Sequence, residues 1–75
     1  MRELVEFLAR SLVEEPDQVR VTEVRRDHAT VLELRVSPAD LGKVIGRQGR
    51  TARAIRNLVA AAARGRRRYI LDILD

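Results

Sequence analysis

Three glycines, Gly42, Gly46 and Gly49, stand at intervals of four and three residues inside Leu41-Gly42-Lys43-Val44-Ile45-Gly46-Arg47-Gln48-Gly49-Arg50-Thr51. No other stretch restricts the fold so strongly. A helical pattern precedes Gly46 and another follows Gly49, so the chain must break one helix and start the next within a few residues. Glycine makes such a joint possible, because without a Cβ it takes positive φ freely and lets the backbone come close to another group. The helix that follows directs its first free N–H groups and the positive end of its dipole back at the joint. A Gly-x-x-Gly turn opening a helix, flanked by Arg47 and Arg50, therefore suits a phosphate.

The distribution of charge points the same way. The formal net charge is +4. Residues 1–40 carry six Arg against nine Asp or Glu, whereas residues 41–75 carry nine basic residues against two acidic ones. No acid occurs between Leu41 and Leu71. A surface of one sign attracts polyanions and speeds encounter with them. A lone basic helix would often be only a solvated face. Here the acid-free stretch also holds the glycine joint.

At 75 residues the length allows one domain, spanning 1–75. Cores of this size leave a net stability of only about 3–5 kcal/mol. With no cysteine there is neither a disulfide nor a thiolate metal site, which fits a reducing compartment. The apolar runs are too short to cross a bilayer, and the charged start lacks the apolar block of a signal peptide. A cytoplasmic protein without membrane contact is expected.

Taken in order, residues 2–14 read as an amphipathic helix. Leu4, Leu8 and Leu12 recur every four residues, and Val5, Phe7, Ala9 and Val13 widen the stripe. Glu15-Pro16-Asp17 stops it. Residues 18–25 read as a strand, in which Val24 breaks the alternation of Val19 and Val21 and suggests a bulge. Arg26-Asp27-His28-Ala29 is a polar turn, and residues 30–36 a second strand with Leu32, Leu34 and Val36 facing inward. The two strands make an antiparallel hairpin. Ser37 and Asp40 suggest a capping box around Pro38, opening a short helix to about Val44. A further helix runs from about Gly49 to Ala63, with Ile55, Leu58, Val59 and Ala62 as its buried stripe and Arg50, Arg53 and Asn57 on another face. Arg64-Gly65 ends it, and Arg66-Arg67-Arg68 leads into a last strand with Tyr69, Leu71 and Ile73 on one face. The order helix, strand, strand, helix, helix, strand predicts an α+β fold with helices on one face of a three-stranded sheet. Val31, Ile70 and Leu74 fall on the outer face.

Val44-Ile45-Gly46-Arg47-Gln48-Gly49, followed by Ile55, resembles the signature of KH domains. That signature is an aliphatic pair, Gly-x-x-Gly, then aliphatics three and six residues after the second glycine. The element order is similar to the type II KH arrangement, and from Leu4 to Asp75 the chain resembles the small single-domain bacterial KH proteins of the KhpA family. Ala52 departs from the pattern, since many KH domains have Ile there, and implies a shallower groove.

The resemblance implies a function. In KH domains the Gly-x-x-Gly loop clamps the backbone of about four nucleotides of single-stranded RNA. By that resemblance Gly46, Arg47, Gln48 and Gly49 hold phosphates, with Lys43 beside them. Leu41, Val44, Ile45 and Ala52 offer an apolar floor to the bases, and the adjoining strand reads base edges. Arg50 and Arg53 support the phosphates, and Gly65-Arg66-Arg67-Arg68, before the last strand, corresponds to the variable loop. The resemblance further implies a bacterial post-transcriptional regulator or RNA chaperone, linked to cell shape and cell-wall organisation. It also implies a larger KH-containing RNA-binding partner; because one domain holding about four nucleotides binds weakly, a homodimer or a heterodimer with such a partner is expected to add avidity. No cofactor, metal or small-molecule substrate is expected.

Composition agrees. Modules that stack bases on aromatics need exposed rings, and this chain has only Phe7 and Tyr69, both in core patterns. A phosphate-loop NTPase fails on spacing, because Val44 occupies the place of the first glycine and Gly49-Arg50-Thr51 replaces Gly-Lys-Ser/Thr. The dinucleotide fingerprint also fails. His28 stands alone in a turn, and no acidic cluster has metal-ligand spacing, so no enzyme is expected. Two other readings remain. One is a helix-turn-helix, with Arg50, Arg53 and Asn57 in a DNA major groove. The other is a KH fold kept for protein pairing. If the basic half seats a single strand, affinity falls linearly with salt on logarithmic axes, with a slope of about −0.7 per phosphate neutralised. Titrations at several salt concentrations measure that slope, and a flat response would contradict phosphate contacts.

Overall fold

A computed structural model describes residues 1–75. Helix α1 spans Arg2–Leu12, strands β1 and β2 span Arg20–Arg25 and Ala29–Arg35, helices α2 and α3 span Leu41–Ile45 and Arg50–Ala63, and strand β3 spans Arg68–Ile73. Short 3₁₀ turns at Pro16–Gln18, Pro38–Asp40 and Arg47–Gly49 join them. The element order is the expected one, and the fold is α+β.

The sheet has the order β1-β2-β3. β1 and β2 form the antiparallel hairpin, while β3 returns beside β2 in parallel. A parallel return needs a crossover, and α2 with α3 supplies it. β2 is central, so its side chains are the most enclosed; Leu32 and Leu34 are fully buried. Around them gather Val5 and Ala9 of α1, Val21 of β1, Val44 of α2, Ile55 and Val59 of α3, and Leu71 of β3. Val19 and Val36, just outside the strands, complete the cluster.

Three side-chain placements differ from the sequence reading. No bulge interrupts β1. The ladder runs continuously from Arg20↔Arg35 to Arg25↔Thr30, and Val24 pairs with Val31, which pairs with Ile70. Val24 breaks the inward alternation because it belongs to a small apolar row on the outer face. In α3 the buried stripe is Ala52, Ile55, Val59 and Ala63, while Leu58 is half exposed and Ala62 is exposed. Both stripes obey helical periodicity, but small residues at 52 and 63 let the helix lie close to the sheet. In α1 the buried line runs through Val5 and Ala9, and Phe7 is 67% exposed. Tyr69 is partly buried and packs against the core as expected.

The expected capping box is absent. Asp40 does not reach back to Ser37; it crosses to the chain after α1, accepting the backbone N–H groups of Glu14 at 3.2 Å and Glu15 at 3.0 Å. The Ser37 hydroxyl donates instead to the Glu15 carboxylate at 2.8 Å. Lys43 Nζ lies 3.6 Å from Asp40 Oδ1 and 3.9 Å from Glu14 Oε1. Asp40 is 1% exposed. A buried carboxylate is tolerated only when it is paired and hydrogen-bonded, and these groups meet that condition. The tie fastens the end of α1 to the start of α2.

Burial alone would raise the Asp40 pKa, but the two N–H donors and the Lys43 ammonium outweigh it and hold the carboxyl below its ordinary value. A group whose pKa is depressed on folding stabilises the fold above its unfolded pKa, about 3.9 for Asp, and loses that contribution as pH falls through the folded value. Asp40→Asn is therefore expected to be less stable than wild type in urea melts at pH 7, with the gap closing as pH drops below about 4.

Candidate nucleic-acid interface

Helix α2 stops at Gly46, whose φ of 75° and ψ of 168° leave the helical region. Its N–H still closes the last turn, donating to the Gly42 carbonyl at 2.8 Å. The next turn is tight. Gly49 N–H donates to the Gly46 carbonyl at 3.1 Å, and Gln48 and Gly49 are both left-handed, with φ of 58° and 74°. Three of the four loop residues thus have positive φ.

Gly46 is required twice over. Besides its φ, a Cβ there would run into the Thr51 hydroxyl and lie 2.8 Å from the Thr51 Cβ and backbone nitrogen. Thr51, in the first turn of α3, packs against the bare face of Gly46. At Gly49 a Cβ would meet nothing, so only its backbone angle favours glycine. Gln48 has a Cβ and bears the cost of a left-handed non-glycine residue. No side chain caps the start of α3, so the dipole there meets solvent and the exposed Arg47, Gln48 and Arg50. Phosphate oxygens are the natural partners for such a set.

The structure divides the sequence-derived residues into groups. Gly46, Arg47, Gln48, Gly49 and Arg50 form one continuous turn, and Arg53 is exposed one helical step further on. Ile45 is 37% exposed beside the loop, and Leu41 is half-buried against the core. Val44 and Ala52 lie elsewhere: at 0% and 4% exposure they are core residues, supporting the helix pair from beneath rather than offering a surface to bases. The reason is that α2 and α3 turn these two side chains toward the sheet. Lys43 is drawn toward the carboxylates of Asp40 and Glu14, which diminishes the charge it presents outward.

Arg66, Arg67 and Arg68 are not brought to the loop. They follow the far end of α3, whose 14 residues separate them from it by about 21 Å. Arg67 is committed internally: its Nε donates to Thr30 Oγ1 at 2.6 Å, and its Nη2 donates to the carbonyls of Arg26 and Ala29 at 3.0 and 3.2 Å. It clasps the hairpin turn. Arg66 and Arg68 are exposed.

Sequence reasoning passed over Arg56. Its Nη2 donates to the Leu71 carbonyl at 3.2 Å, so the guanidinium reaches from α3 to β3. Only the three-residue step from Arg53 hinted at it, because nothing in the sequence says which helix face overhangs a strand edge.

Comparison with known proteins bears on this geometry. The family model described as "KhpA/KhpB, KH domain" matches residues 2–73. The chain belongs to this family of KH domains. It is 54% identical to "RNA-binding protein KhpA" of Halalkalibacterium halodurans, with all of both chains covered. It is 51% identical to the protein of that name from Clostridium perfringens, over 99% of this chain and all of the relative. A third, from Aquifex aeolicus, is 49% identical over all of this chain and 96% of its own length. The order αββααβ is the one expected of the type II form, and the chain has its Gly-x-x-Gly sequence at Gly46–Gly49, between α2 and α3.

The glycines of this KH domain separate by role. Gly42 lies within α2, where a Cβ would meet nothing. Gly42→Ala is expected to stabilise the fold by about 0.5–1 kcal/mol and leave any ligand affinity unchanged. Gly46→Ala is expected to destabilise the loop and weaken binding. Thermal melts and binding titrations on the two variants, measured together, check the contrast.

Proposed function

We propose that this chain binds single-stranded RNA by clamping its backbone in the Gly46–Gly49 loop. The observation that carries the reading is the loop itself, an uncapped helix start behind three residues of positive φ, with Arg47 and Gln48 projecting. Relatives named as RNA-binding proteins support it. Gly46, Arg47, Gln48 and Gly49 hold phosphates, and Arg50 and Arg53 add positive charge along the same path. Ile45, with the edge of Leu41, forms the apolar surface beside the bases. Arg66 and Arg68 contribute at the far end of α3. The chain is a binding module and not an enzyme.

A site for about four nucleotides gives modest affinity, so avidity from a second RNA-binding unit is part of the proposal. The second unit is another copy of the chain or a larger KH-containing protein. The family model's own name, which pairs KhpA with KhpB, supports the latter. The expected setting is the bacterial cytoplasm, in post-transcriptional regulation or RNA chaperoning, with consequences for cell shape and wall organisation. No helix is long and apolar enough to cross a membrane.

The test is a paired titration of single-stranded RNA and duplex DNA of equal length at fixed salt. Wild type is expected to prefer RNA. Arg47→Asp combined with Gln48→Asp is expected to abolish that binding, with circular dichroism showing the fold intact. Preference for duplex, or a folded double variant with unchanged RNA affinity, would overturn the clamp and favour the basic face of α3 as a DNA-reading helix.

A further inference from the structure

The outer face of the sheet has no part in the proposed clamp, because the helices and the core lie on the other side. Strand register sorts its side chains into rows that run across the strands. Val24, Val31 and Ile70 form one row. On one side of it stand Thr22, Glu33 and Asp72, and beyond them Arg20 opposite Arg35. On the other side Ala29 pairs with Arg68. An apolar row is thus flanked by an acidic row on one side and a basic position on the other.

These rows lack partners within the chain. Ile70 is 39% exposed, and Val24 and Val31 are only half-buried. Glu33 stands beside Asp72, and like charges side by side on a sheet face are destabilising. None of Glu33, Asp72 and Arg68 forms an ion pair within the chain. Arg68 and Asp72 have opposite signs, but they lie on one strand on either side of Ile70. Their separation of about 13 Å is too great for them to pair with each other. The same order of rows is self-complementary between two copies. A two-fold axis laid along Val24, Val31 and Ile70 sets apolar row on apolar row and acidic row on basic row. In a two-fold contact each pairing occurs twice. Along β3, Ile70 then faces the partner's Ile70, Asp72 faces the partner's Arg68, and Arg68 faces the partner's Asp72. On β2 the partner's Glu33 stands over Ala29. The short Ala29 side chain there floors a hollow lined by Arg25, Arg26, Asp27, His28 and Ile70.

We propose that a second copy of this chain docks on the outer sheet face, through a two-fold contact centred on Ile70 with reciprocal Arg68–Asp72 ion pairs. Two sheets packed with nearly aligned strands lie about 10 Å apart, a distance that side chains of these lengths fill. This gives a face to the second copy that avidity calls for, and it does not depend on the clamp. The glycine loops sit on the helical sides and stay open, so one dimer presents two of them. Arg68 then serves the contact between copies and leaves Arg66 toward the RNA. Three strands of about six residues have a footprint of about 300 Å². That is small beside the roughly 800 Å² per partner of a stable complex, so the dimer is weak and forms as concentration rises.

Sedimentation equilibrium without RNA, from micromolar to millimolar protein, tests this, with circular dichroism as the check of fold. Wild type is expected to pass from monomer to dimer across that range. Asp72→Arg and Arg68→Asp are each expected to weaken dimerisation about 10-fold or more, because each sets like charges opposite one another at two symmetric points. An equimolar mixture of these two variants is expected to restore it, since every reversed charge then meets its opposite on the other chain. Ile70→Lys is expected to abolish it. The Arg47→Asp, Gln48→Asp double variant is expected still to dimerise, so that failure of the clamp and failure of this contact are read separately. A wild type that stays monomeric throughout would overturn the proposal. So would a mixture that associates no better than its two components alone. Undiminished dimerisation of the folded Ile70→Lys and charge-reversed variants would place the contact on another face, such as α1, and overturn it as well.

Discussion

The contact of Gly46 with Thr51 fixes the geometry on which the rest depends. The first turn of α3 occupies the space where a side chain at position 46 would stand, and the backbone there has positive φ. Helix α2 must therefore end, and α3 must begin a few residues later in a new direction. The core then locks that direction. Ile55 and Val59 pack onto Leu32, Leu34 and Leu71, with Ala52 and Ala63 allowing close approach at either end of the stripe. Because α3 is seated this way, its start carries the loop and its middle overhangs the free edge of β3. One helix thus relates the glycine turn to a strand edge.

The electrostatics support the same division. Of the nine acids in the first half of the chain, Glu3, Glu14, Glu15 and Asp40 are engaged with the protein. Asp40 takes two backbone N–H groups and faces Lys43, and Glu15 takes the Ser37 hydroxyl. The second half leaves its arginines free or uses them to fasten strands. Arg67 clasps the hairpin turn and Arg56 meets the β3 edge. Arg47, Arg50 and Arg53 have no such commitment within the chain and stand exposed. Charge counted along the sequence therefore overstates the surface offered to a polyanion, since Lys43 and Arg67 are already occupied.

Most of the architecture was legible in the residues. Alternation gave β2 and β3, Pro16 and Gly46 marked helix ends, and the glycine spacing located the loop. What escaped were choices between equally periodic alternatives. The stripe through Leu58 and Ala62 has more apolar mass than the one through Ala52 and Ala63, yet the sheet selects the smaller side chains because they permit closer packing. Val24 looked like a break in register because a second apolar row on the outer sheet face has no signature in one strand. Asp40 had the spacing of a local cap, and its partners 25 and 26 residues away could not be inferred from it. In the site, local sequence was enough for the loop, whereas the removal of Val44 and Ala52 into the core and the reach of Arg56 to Leu71 depend on how α3 is rotated over the sheet.

The central claim is that the Gly46–Gly49 turn and the basic start of α3 receive single-stranded RNA. Amide chemical-shift mapping with a short RNA tests it most directly. The account predicts shifts at Arg47, Gln48, Gly49 and Arg50, continuing to Arg53, with Val24, Val31 and the α1 surface around Phe7 unaffected. Shifts centred on the outer sheet face or on α1, with the loop silent, would contradict it.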